Sequence, residues 1–492
     1  MAVDYDIVII GGSLAGRYAA AAAAKLKATV ALVEPIPKSL DASKDSPLLK
    51  RPSPLASILL PHCLSHIGQL TEQLANASQF GIDLNDAHSA NNYPSVEFAQ
   101  AIHYALNVVS NLEDQSPVGV GVDFIQGNGQ FVSKPSLAFV VHGRRLVARS
   151  YIIATNSRPA IPEIEGLQMT GYVTPSEVWQ LLTSQTPPQR WVILGSDPTG
   201  CQIAQTLARF GLDVTLVVKR SHILAKEDPE IAHLVQAILE AEGVRVLTST
   251  TVTQVKRIDN NKWIQAEDQA IEFDEILLCA GQQPDFAELN LKAVGVKLQK
   301  QRLLLNQNLQ TTNHRIYACG DAIGGFHANI SNYEASIALK NALFFPRFKV
   351  DYRRIPWAIF SDPQLARVGL TEVQARRIYN RDVLVLRQDF KIVAAAQIKD
   401  EITGMCKLIV RRNGMILGAA IVGDRARELI NIIALAIAGG LKVDAIATLA
   451  PVYPSFSEIL QQTAAQYHQA RLNSNPNLQN FLEGFFNLRR SF

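Results

Sequence analysis

The sequence predicts an α/β fold, because two segments repeat one order of elements: an apolar strand, a glycine-rich turn, an apolar helix and a second apolar strand. The first copy covers residues 5–34 and the second covers residues 190–220. Such a unit is typical of Rossmann-like dinucleotide-binding domains. The chain has 492 residues. At about 150 residues per domain this leaves room for roughly three domains, so we expect further structure after the second copy.

The composition describes an ordinary globular chain and excludes several functional classes. A net charge of +3 without a dense Lys/Arg tract argues against nucleic-acid binding. The five cysteines, at positions 63, 201, 279, 319 and 406, fit neither a disulfide framework nor a metal site. The N-terminus lacks a signal-peptide pattern, and the apolar run at 429–441 suits a buried helix better than a membrane span. We therefore expect a soluble cytoplasmic protein without a metal.

The first copy carries a complete set of dinucleotide-binding signals. Its turn, GGSLAG at 11–16, has glycines where a tight turn and close helix–strand packing require them. The following helix presents N–H groups to a pyrophosphate, and Glu34 ends the second strand where it can accept hydrogen bonds from ribose hydroxyls. The candidate binding residues are Gly11, Gly12, Ser13, Ala15, Gly16 and Glu34.

The second copy is less regular. Its turn, GSDPTG at 195–200, has Asp197 at the position of the middle glycine, where a carboxylate would crowd and repel a pyrophosphate. Either the loop follows a different path or the nucleotide binds weakly. Basic residues after the second strand either pair with the 2′-phosphate of NADP(H) or belong to a solvated strand end. The candidate residues in this copy are Gly195, Ser196, Gly200, Lys219 and Arg220.

Further motifs follow in a fixed order along the chain. They are YIIATNSRPAIPEIEG at 151–166, EILLCAGQQPD at 275–285, RIYACGDAIGG at 315–325, IPWAIFSDPQLARVGLTE at 355–372 and ILGAAIVGDRARELI at 416–430. Together with the two turns, these segments resemble the pyridine nucleotide–disulfide oxidoreductases, the family of dihydrolipoamide dehydrogenase and mercuric reductase. The resemblance covers roughly residues 5–465.

The resemblance implies two Rossmann-like domains, a C-terminal domain of the α+β type and a homodimer. It implies an FAD-binding domain from 1–150 and 271–350, an NAD(P)-binding domain from 151–270, a dimerisation domain from 351–466 and a C-terminal tail from 467–492. In this family the C-terminal domain completes the flavin site of the partner subunit. The further cofactor residues that it implies are Gly129, Thr155, Gly320 and Asp321 for FAD, with Asp321 on a ribityl hydroxyl, and Gln202 and Gly281 for NAD(P).

The cysteine pair that defines the family's chemistry is missing. The family's Cys-x4-Cys pair would fall within about residues 40–63, and that stretch contains one cysteine, Cys63. A single thiol cannot store two electrons as an internal disulfide. We expect Cys63 to be a small buried apolar side chain on an amphipathic helix, rather than a thiolate activated by His62 or His66.

Other departures agree with the loss of disulfide chemistry. Tyr453 stands where the family's C-terminal motif has a histidine, although Glu458 of that motif is kept. The lysine that normally follows the cysteine pair is absent, and Gln202 replaces an acid. Asn156 replaces a glycine and Gln282 replaces an arginine near the nucleotides. The FAD side therefore matches the family better than the NAD(P) side.

These features predict an FAD-dependent NAD(P)H oxidoreductase that passes electrons from flavin directly to an acceptor such as a quinone. NADPH is slightly favoured as the donor. Tyr453 and Glu458 are the candidate catalytic residues, and Tyr453 either hydrogen-bonds an acceptor carbonyl or packs at the dimer interface. Two alternatives remain: a flavin-dependent transhydrogenase, and a non-catalytic flavin-binding scaffold or redox-responsive regulator.

The chain ends in a predicted amphipathic helix within 475–492. Asn475 and Pro476 form a helix-start signal, and Arg489 and Arg490 close the segment. The apolar residues at helical spacing are Leu478, Phe481, Leu482, Phe485 and Phe486. This helix either packs on its own protein, which is the commoner arrangement, or lies on a membrane surface close to a lipid-dissolved quinone.

Overall fold

The computed structural model describes residues 3–36, 54–80, 82, 96–114, 121–259, 261–324, 327–473 and 476–491. Most of the segment at 40–63 that would hold the family's cysteine pair lies outside these ranges, as does the predicted helix-start residue Asn475. Among the helices in these ranges, none is both long enough and apolar enough to cross a membrane.

The strands alternate between parallel and antiparallel sheets along the chain. They are β1 (Tyr5–Ile10), β2 (Val30–Glu34), β3 (Val122–Gln126), β4 (Gly129–Val132), β5 (Ala138–Val141), β6 (Arg144–Leu146), β7 (Ala148–Ile153), β8 (Ser157–Pro159), β9 (Arg190–Leu194), β10 (Asp213–Val217), β11 (Arg245–Leu247), β12 (Val252–Ile258), β13 (Asn261–Ala266), β14 (Gln269–Phe273), β15 (Glu275–Leu278), β16 (Gln282–Pro284), β17 (Leu298–Gln299), β18 (Arg302–Leu303), β19 (Ile316–Ala318), β20 (Trp357–Ile359), β21 (Gln364–Gly369), β22 (Val383–Asp389), β23 (Met405–Arg411) and β24 (Ile416–Gly423).

The helices connect these strands or cover their faces. They are α1 (Leu14–Lys25), α2 (Pro54–Ala75), α3 (Phe98–Asp114), α4 (Leu167–Thr170), α5 (Val178–Leu182), α6 (Pro198–Arg209), α7 (Pro229–Ala241), α8 (Ala328–Leu343), α9 (Glu372–Tyr379), α10 (Ala394–Lys399), α11 (Ala426–Ala438), α12 (Val443–Ala447), α13 (Glu458–Asn473) and α14 (Pro476–Arg490).

The chain forms two compact units, and both glycine turns lie in the first, which comprises residues 1–219 and 243–350. Its larger sheet is parallel, in the order β19-β7-β1-β2-β3, with Ile7 opposite Val30 and Val8 opposite Tyr151. β1 is almost wholly apolar because both of its faces are buried. Helices α1 and α8 cover one face, and the antiparallel sheet β4-β5-β6 contributes Phe131 and Phe139 to the core on the other.

A second parallel sheet in this unit carries the second glycine turn. Its strand order is β11-β10-β9-β15, and the antiparallel sheet β12-β13-β14 packs against it through a shared apolar core. Helix α6 follows β9 and is buried at every residue from Gly200 to Arg209. The outer side of α6 is covered by α2, where Gly68 lies against Arg209 and Glu72 forms an ion pair with the same arginine.

Helix α2 has the character that the sequence predicts for the segment around Cys63. Leu60 and Leu64 are buried, Cys63 is half-buried and His66 is exposed. Pro61 lies inside the helix, where it removes one backbone N–H donor. The segment is helical with one buried face, as predicted, but Cys63 is half-buried instead of buried.

The second unit comprises residues 220–242 and 351–492 and has the mixed α+β character predicted for the C-terminal domain. Its antiparallel sheet has the order β20-β21-β24-β23-β22. Helices α11 and α13 bury their apolar faces in the same core. The predicted buried helix within 429–441 is α11, which ends at Ala438 and buries Leu429, Ile430 and Ile433.

A buried lysine joins the two segments of the second unit. The side chain of Lys407 on β23 is 1% exposed, and its ammonium group lies 3.1 Å from Asp228, 3.0 Å from Glu230 and 2.8 Å from Glu372. Burial opposes the charge, but these carboxylates outweigh it and raise the pKa of Lys407. The lysine thereby compensates acidic groups from α9 and from the segment that contains α7.

We expect Lys407→Met to destabilise the protein strongly, because it leaves several carboxylates without their cation. Removing one partner of a buried ion pair costs about 3–5 kcal/mol. The matched control is Lys399→Met, since Lys399 is half-exposed and lies 3.5 Å from Asp424, and an exposed pair contributes less than about 1 kcal/mol. Thermal unfolding of both variants tests this expectation, and equal shifts in the unfolding midpoint would contradict it.

Candidate functional site

The first glycine turn is shaped by a close backbone approach. Gly11 has φ +116°, and a Cβ atom at this position would lie 2.2 Å from the carbonyl oxygen of Ala154, which follows β7. A Cβ on Gly16 would lie 2.1 Å from the carbonyl oxygen of Gly11. Both positions therefore require glycine, which agrees with the roles that the sequence assigns to them.

The helix N-terminus at this turn has unused donors. Ser13 is the N-cap of α1, and its hydroxyl oxygen accepts a hydrogen bond from the N–H of Gly16 at 3.3 Å. Within the part of the chain that is described, the N–H groups of Leu14 and Ala15 have no protein acceptor. Donors of this kind at a helix N-terminus suit a pyrophosphate.

The predicted ribose-binding acid lies beside this turn. Glu34 ends β2, and its carboxylate accepts hydrogen bonds from Arg17 at 2.9 and 3.1 Å. A Cβ on Gly12 would overlap the Glu34 carboxyl group, so Gly12 allows the acid to approach. Arg17 also donates to the carbonyl of Gly12 at 3.1 Å, which fixes the acid relative to the turn.

The predicted second FAD motif reaches the same place. A Cβ on Gly320 would lie 2.7 Å from the Ala15 side chain, and the N–H of Gly320 donates to buried Glu334 at 2.8 Å. Asp321 follows, and burial raises the pKa of its carboxyl group. The structure thus brings Gly320 and Asp321, about 300 residues along the chain, to the first turn.

An orphaned polar atom supports the fit of a polar cofactor at this site. Thr155 is buried, and its hydroxyl oxygen has no hydrogen-bond partner among the described residues. Buried polar groups normally have a partner, so a ligand hydroxyl or phosphate would satisfy this one. Gly129 differs from the other predicted FAD residues: it begins β4, and Phe139 fills the space of its missing side chain. Its role at FAD stays a prediction.

The second glycine turn shares two backbone features with the first. Gly195 has φ +107°, and its Cβ would lie 2.1 Å from the carbonyl oxygen of Cys279, which follows β15. The N-cap residues also agree, with φ −61° and ψ 168° for Ser13 and φ −70° and ψ 162° for Asp197. The packing of the two helix starts differs: a Cβ on Gly16 would lie 2.1 Å from the carbonyl oxygen of Gly11, whereas a Cβ on Gly200 would lie 2.8 Å from the Cys279 side chain.

The side chain of Asp197 caps the N-terminus of helix α6. Its carboxylate accepts a hydrogen bond from the N–H of Gly200 at 2.8 Å. Burial raises the pKa of this carboxyl group to about 6, although the backbone N–H groups of Gly200 and Thr199 partly oppose the rise. Ser196 precedes the cap, so every predicted residue of the 195–200 turn lies at the start of α6.

The basic residues after β10 are exposed. Neither Lys219 nor Arg220 forms an ion pair with any described residue, so both are available to a phosphate. Gly281 has φ +103°, and a Cβ there would meet open space. These three residues stay predictions for NAD(P) binding.

Gln202 contacts His62, which the sequence does not predict. The side-chain amide of buried Gln202 donates to Nδ1 of His62 on α2 at 2.9 Å. In this orientation the imidazole accepts at Nδ1, as a neutral ring does. The two residues are 140 positions apart, and no local pattern in the sequence connects them.

The two predicted catalytic residues have different environments. The side chain of Tyr453 is in the loop before α13 and is 75% exposed in the single chain. Glu458 is buried at the first position of α13, and its carboxylate accepts the N–H of Ser455 at 2.8 Å. Glu458 thus shapes the loop, and catalytic roles for both residues remain predictions.

The cysteines are free thiols. Burial raises the pKa of Cys63, which disfavours its thiolate form. Cys201, Cys279, Cys319 and Cys406 are fully buried, and burial raises the pKa of each of them. Among the described residues, no group of three or more potential ligands is arranged to hold a metal.

Comparisons with known proteins agree with this geometry. Residues 5–339 match the family described as pyridine nucleotide-disulphide oxidoreductase, and residues 355–464 match its dimerisation domain. The chain is 31% identical to a mercuric reductase of Staphylococcus aureus, over 76% of this chain and 69% of the relative. It is 28% identical to a dihydrolipoyl dehydrogenase of Geobacillus stearothermophilus, over 80% of this chain and 83% of the relative.

A solved structure gives the same result for the fold. The HOCl-induced flavoprotein disulfide reductase RclA from Escherichia coli matches with a TM-score of 0.77 and 25% identity, over 94% of this chain and 99% of that chain. The predicted family resemblance and fold class are confirmed. The family binds FAD and NAD(P)H, and the dimerisation domain indicates a homodimer.

We expect Glu34→Gln to weaken FAD binding by about 10- to 100-fold, because an ionised acceptor at the ribose is replaced by a weaker neutral one. The measurement is the affinity of the flavin-free protein for FAD, followed by quenching of flavin fluorescence. Glu272→Gln is the control, since Glu272 pairs with Arg190 and belongs to neither turn. Equal FAD affinity of Glu34→Gln and the control would contradict the assignment.

Proposed function

Because the chain belongs to the pyridine nucleotide-disulphide oxidoreductase family, we propose that it oxidises NAD(P)H with FAD and reduces a quinone-type acceptor without a disulfide intermediate. The observation that carries this proposal is the state of the thiols. The sequence contains no two cysteines closer than 40 residues, and the half-buried Cys63 has a raised pKa. A thiol–disulfide relay of the family type therefore has no pair of sulfurs to use.

In the proposed overall reaction, NAD(P)H, one proton and a quinone give NAD(P)⁺ and a hydroquinone. Two electrons and two protons therefore reach the acceptor. Bound FAD would supply the two-electron chemistry that links the two half-reactions. The chain supplies binding and orientation: Ser13 and the free N–H groups at α1 hold the pyrophosphate, and Glu34 holds the ribose.

We assign the donor preference to the basic strand end. Lys219 and Arg220 are exposed directly after the second strand of the second copy. The equivalent strand of the first copy ends in Glu34. A cationic pair in place of an acid favours the 2′-phosphate of NADPH over the 2′-hydroxyl of NADH.

We assign the acceptor contact to Tyr453. Its side chain projects from the dimerisation domain and is exposed in the single chain, which leaves it available to the partner subunit of a homodimer. A phenol hydroxyl can donate to a quinone carbonyl and also stack against a flat ring. Glu458 supports this contact by holding the backbone of the loop at Ser455.

A second candidate function, a flavin-binding scaffold that does not use NAD(P)H, is favoured by one observation. The carboxylate of Asp197 accepts the N–H of Gly200 at the second turn and places a negative charge where a pyrophosphate would bind. A flavin transhydrogenase is the third candidate, and it differs from the quinone reductase only in the acceptor that reoxidises the protein.

We place the protein in the cytoplasm and propose that α14 brings it to a membrane surface. Phe481, Phe485, Phe486 and Leu488 are exposed on this helix, and the rings of Phe481 and Phe485 stack at 6.4 Å. The guanidinium of Arg489 lies 6.0 Å from the ring of Phe485. An exposed aromatic face next to arginines suits the interface of an anionic bilayer.

We expect anaerobic NADPH to bleach the flavin absorbance band at about one equivalent, without a long-wavelength band from a thiolate–flavin contact.

The double substitution Lys219→Ala/Arg220→Ala should weaken NADPH binding by about 10- to 100-fold and leave NADH binding unchanged, because it removes charge-assisted hydrogen bonds to the 2′-phosphate. The control is Lys256→Ala, an exposed lysine on β12.

The outcome separates the three candidate functions. Bleaching followed by reoxidation with a quinone supports the oxidoreductase, and Tyr453→Phe should then lower kcat/KM for the quinone by about 2- to 12-fold, the range for one hydrogen bond. Reoxidation only by a second nicotinamide nucleotide would identify a transhydrogenase. A flavin that neither NADPH nor NADH bleaches would leave the scaffold.

We expect the protein to co-sediment with vesicles that contain anionic phosphatidylglycerol, and less with neutral phosphatidylcholine. The double substitution Phe481→Ser/Phe485→Ser should weaken the association at least about tenfold, because two aromatic side chains no longer enter the interface. Asn480→Ser/Asn487→Ser is the matched control on the same helix. No sedimentation of the wild type, with a weaker dimer in the Phe variant, would show instead that α14 packs on the partner subunit.

A further inference from the structure

The two glycine turns offer different chemical groups to an anion, although their N-cap residues have nearly equal dihedral angles. At the first turn the neutral hydroxyl of Ser13 takes the N–H of Gly16, and the N–H groups of Leu14 and Ala15 have no acceptor in the described chain. At the second turn Pro198 has no N–H group to give.

The remaining donors of the second turn face a carboxylate of the chain itself. Asp197 accepts the N–H of Gly200 at 2.8 Å. A negative group therefore lies at the positive end of α6. A pyrophosphate that approaches this turn meets a like charge.

In the part of the chain that the structure describes, no cationic side chain forms an ion pair with the Asp197 carboxylate. The titratable groups that face it are the thiols of Cys201 on α6 and Cys279 after β15, and its charge contributes to their raised pKa values. On α2, which packs along α6, the side chain of His62 hydrogen-bonds to Gln202, the residue that follows Cys201. Neutralisation of the carboxylate thus requires a proton.

We propose that the second turn binds its dinucleotide together with one proton, which Asp197 takes up, so that this residue sets the pH range in which the protein accepts NAD(P)H. The inference rests on the proposed function, because it assigns a regulation to the same nucleotide site. Once protonated, the Asp197 side chain keeps the shape of the cap but no longer repels the pyrophosphate.

The sign of the pH dependence follows from the linkage between protonation and binding. Burial holds the pKa of the free carboxyl near 6, and a bound pyrophosphate raises it further because like charges disfavour ionisation. Below this pKa the group is protonated with or without ligand, so the affinity is constant. Above it, binding requires proton uptake, and the affinity falls by up to about tenfold for each pH unit.

The test uses the FAD-loaded protein and the oxidised nucleotides NADP⁺ and NAD⁺, which bind without reducing the flavin. Isothermal titration calorimetry from pH 5.5 to 8.5, in buffers with different ionisation enthalpies, gives both the affinity and the number of protons taken up. We expect the wild type to lose at least tenfold in affinity across this range and to take up as much as one proton per nucleotide.

Three variants test whether the charge of the Asp197 carboxylate causes the pH dependence of the affinity. Asp197→Asn keeps the shape of the cap, and Asp197→Ser copies the first turn; both should bind the nucleotide at pH 8 at least tenfold more tightly than the wild type, without proton uptake. Asp213→Asn, at the exposed start of β10, is the control and should retain the wild-type profile. In the reverse experiment, Ser13→Asp should lose FAD at pH 8 more readily than Ser13→Asn.

The outcomes distinguish the inference from the proposed function. Nucleotide binding that is independent of pH in the wild type, with no proton uptake and unchanged affinity in Asp197→Asn, would overturn the inference and leave the oxidoreductase intact. Absence of binding to Asp197→Asn even at pH 5.5 would overturn both, because the second turn would then not be a nucleotide site.

Discussion

The first unit depends on the absence of two side chains. At Gly11 and Gly195 the backbone carbonyl of the adjacent parallel strand lies 2.1–2.2 Å from the place of a Cβ atom. This approach lets each helix start directly against its sheet, with the first helical N–H groups at the carboxyl edge of the strands. The binding surfaces at both turns exist because the chain passes so close at these two points.

The N-cap residue is the main chemical difference between the two turns. Ser13 and Asp197 are both N-caps with nearly equal dihedral angles. The neutral hydroxyl leaves donors for a phosphate, whereas the carboxylate fills the same space with charge and has a pKa raised to about 6. Good capping and good phosphate binding therefore compete at the second turn, since both use the N–H groups of the first helical turn.

The second unit is organised around a charge instead of a backbone approach. Lys407 lies inside the unit among carboxylates from the segment containing α7 and from α9. Each of those groups would be costly to bury alone, and together with the lysine they form a compensated set. Tyr453 and the aromatic face of α14 are among the exposed apolar groups of this unit.

The sequence by itself determined the family, the α/β class and the residues of both turns, because a strand, a tight turn and a helix are set by residues within a few positions of each other. The sequence also contains a signal for the Asp197 cap, since Asp followed by Pro is a common helix start. Only the tertiary structure decided that His62 meets Gln202, that Gly320 reaches Ala15 and that Lys407 collects carboxylates from distant segments. These contacts join residues far apart in the chain, and what selects them is the packing of whole helices and sheets, which no local pattern contains.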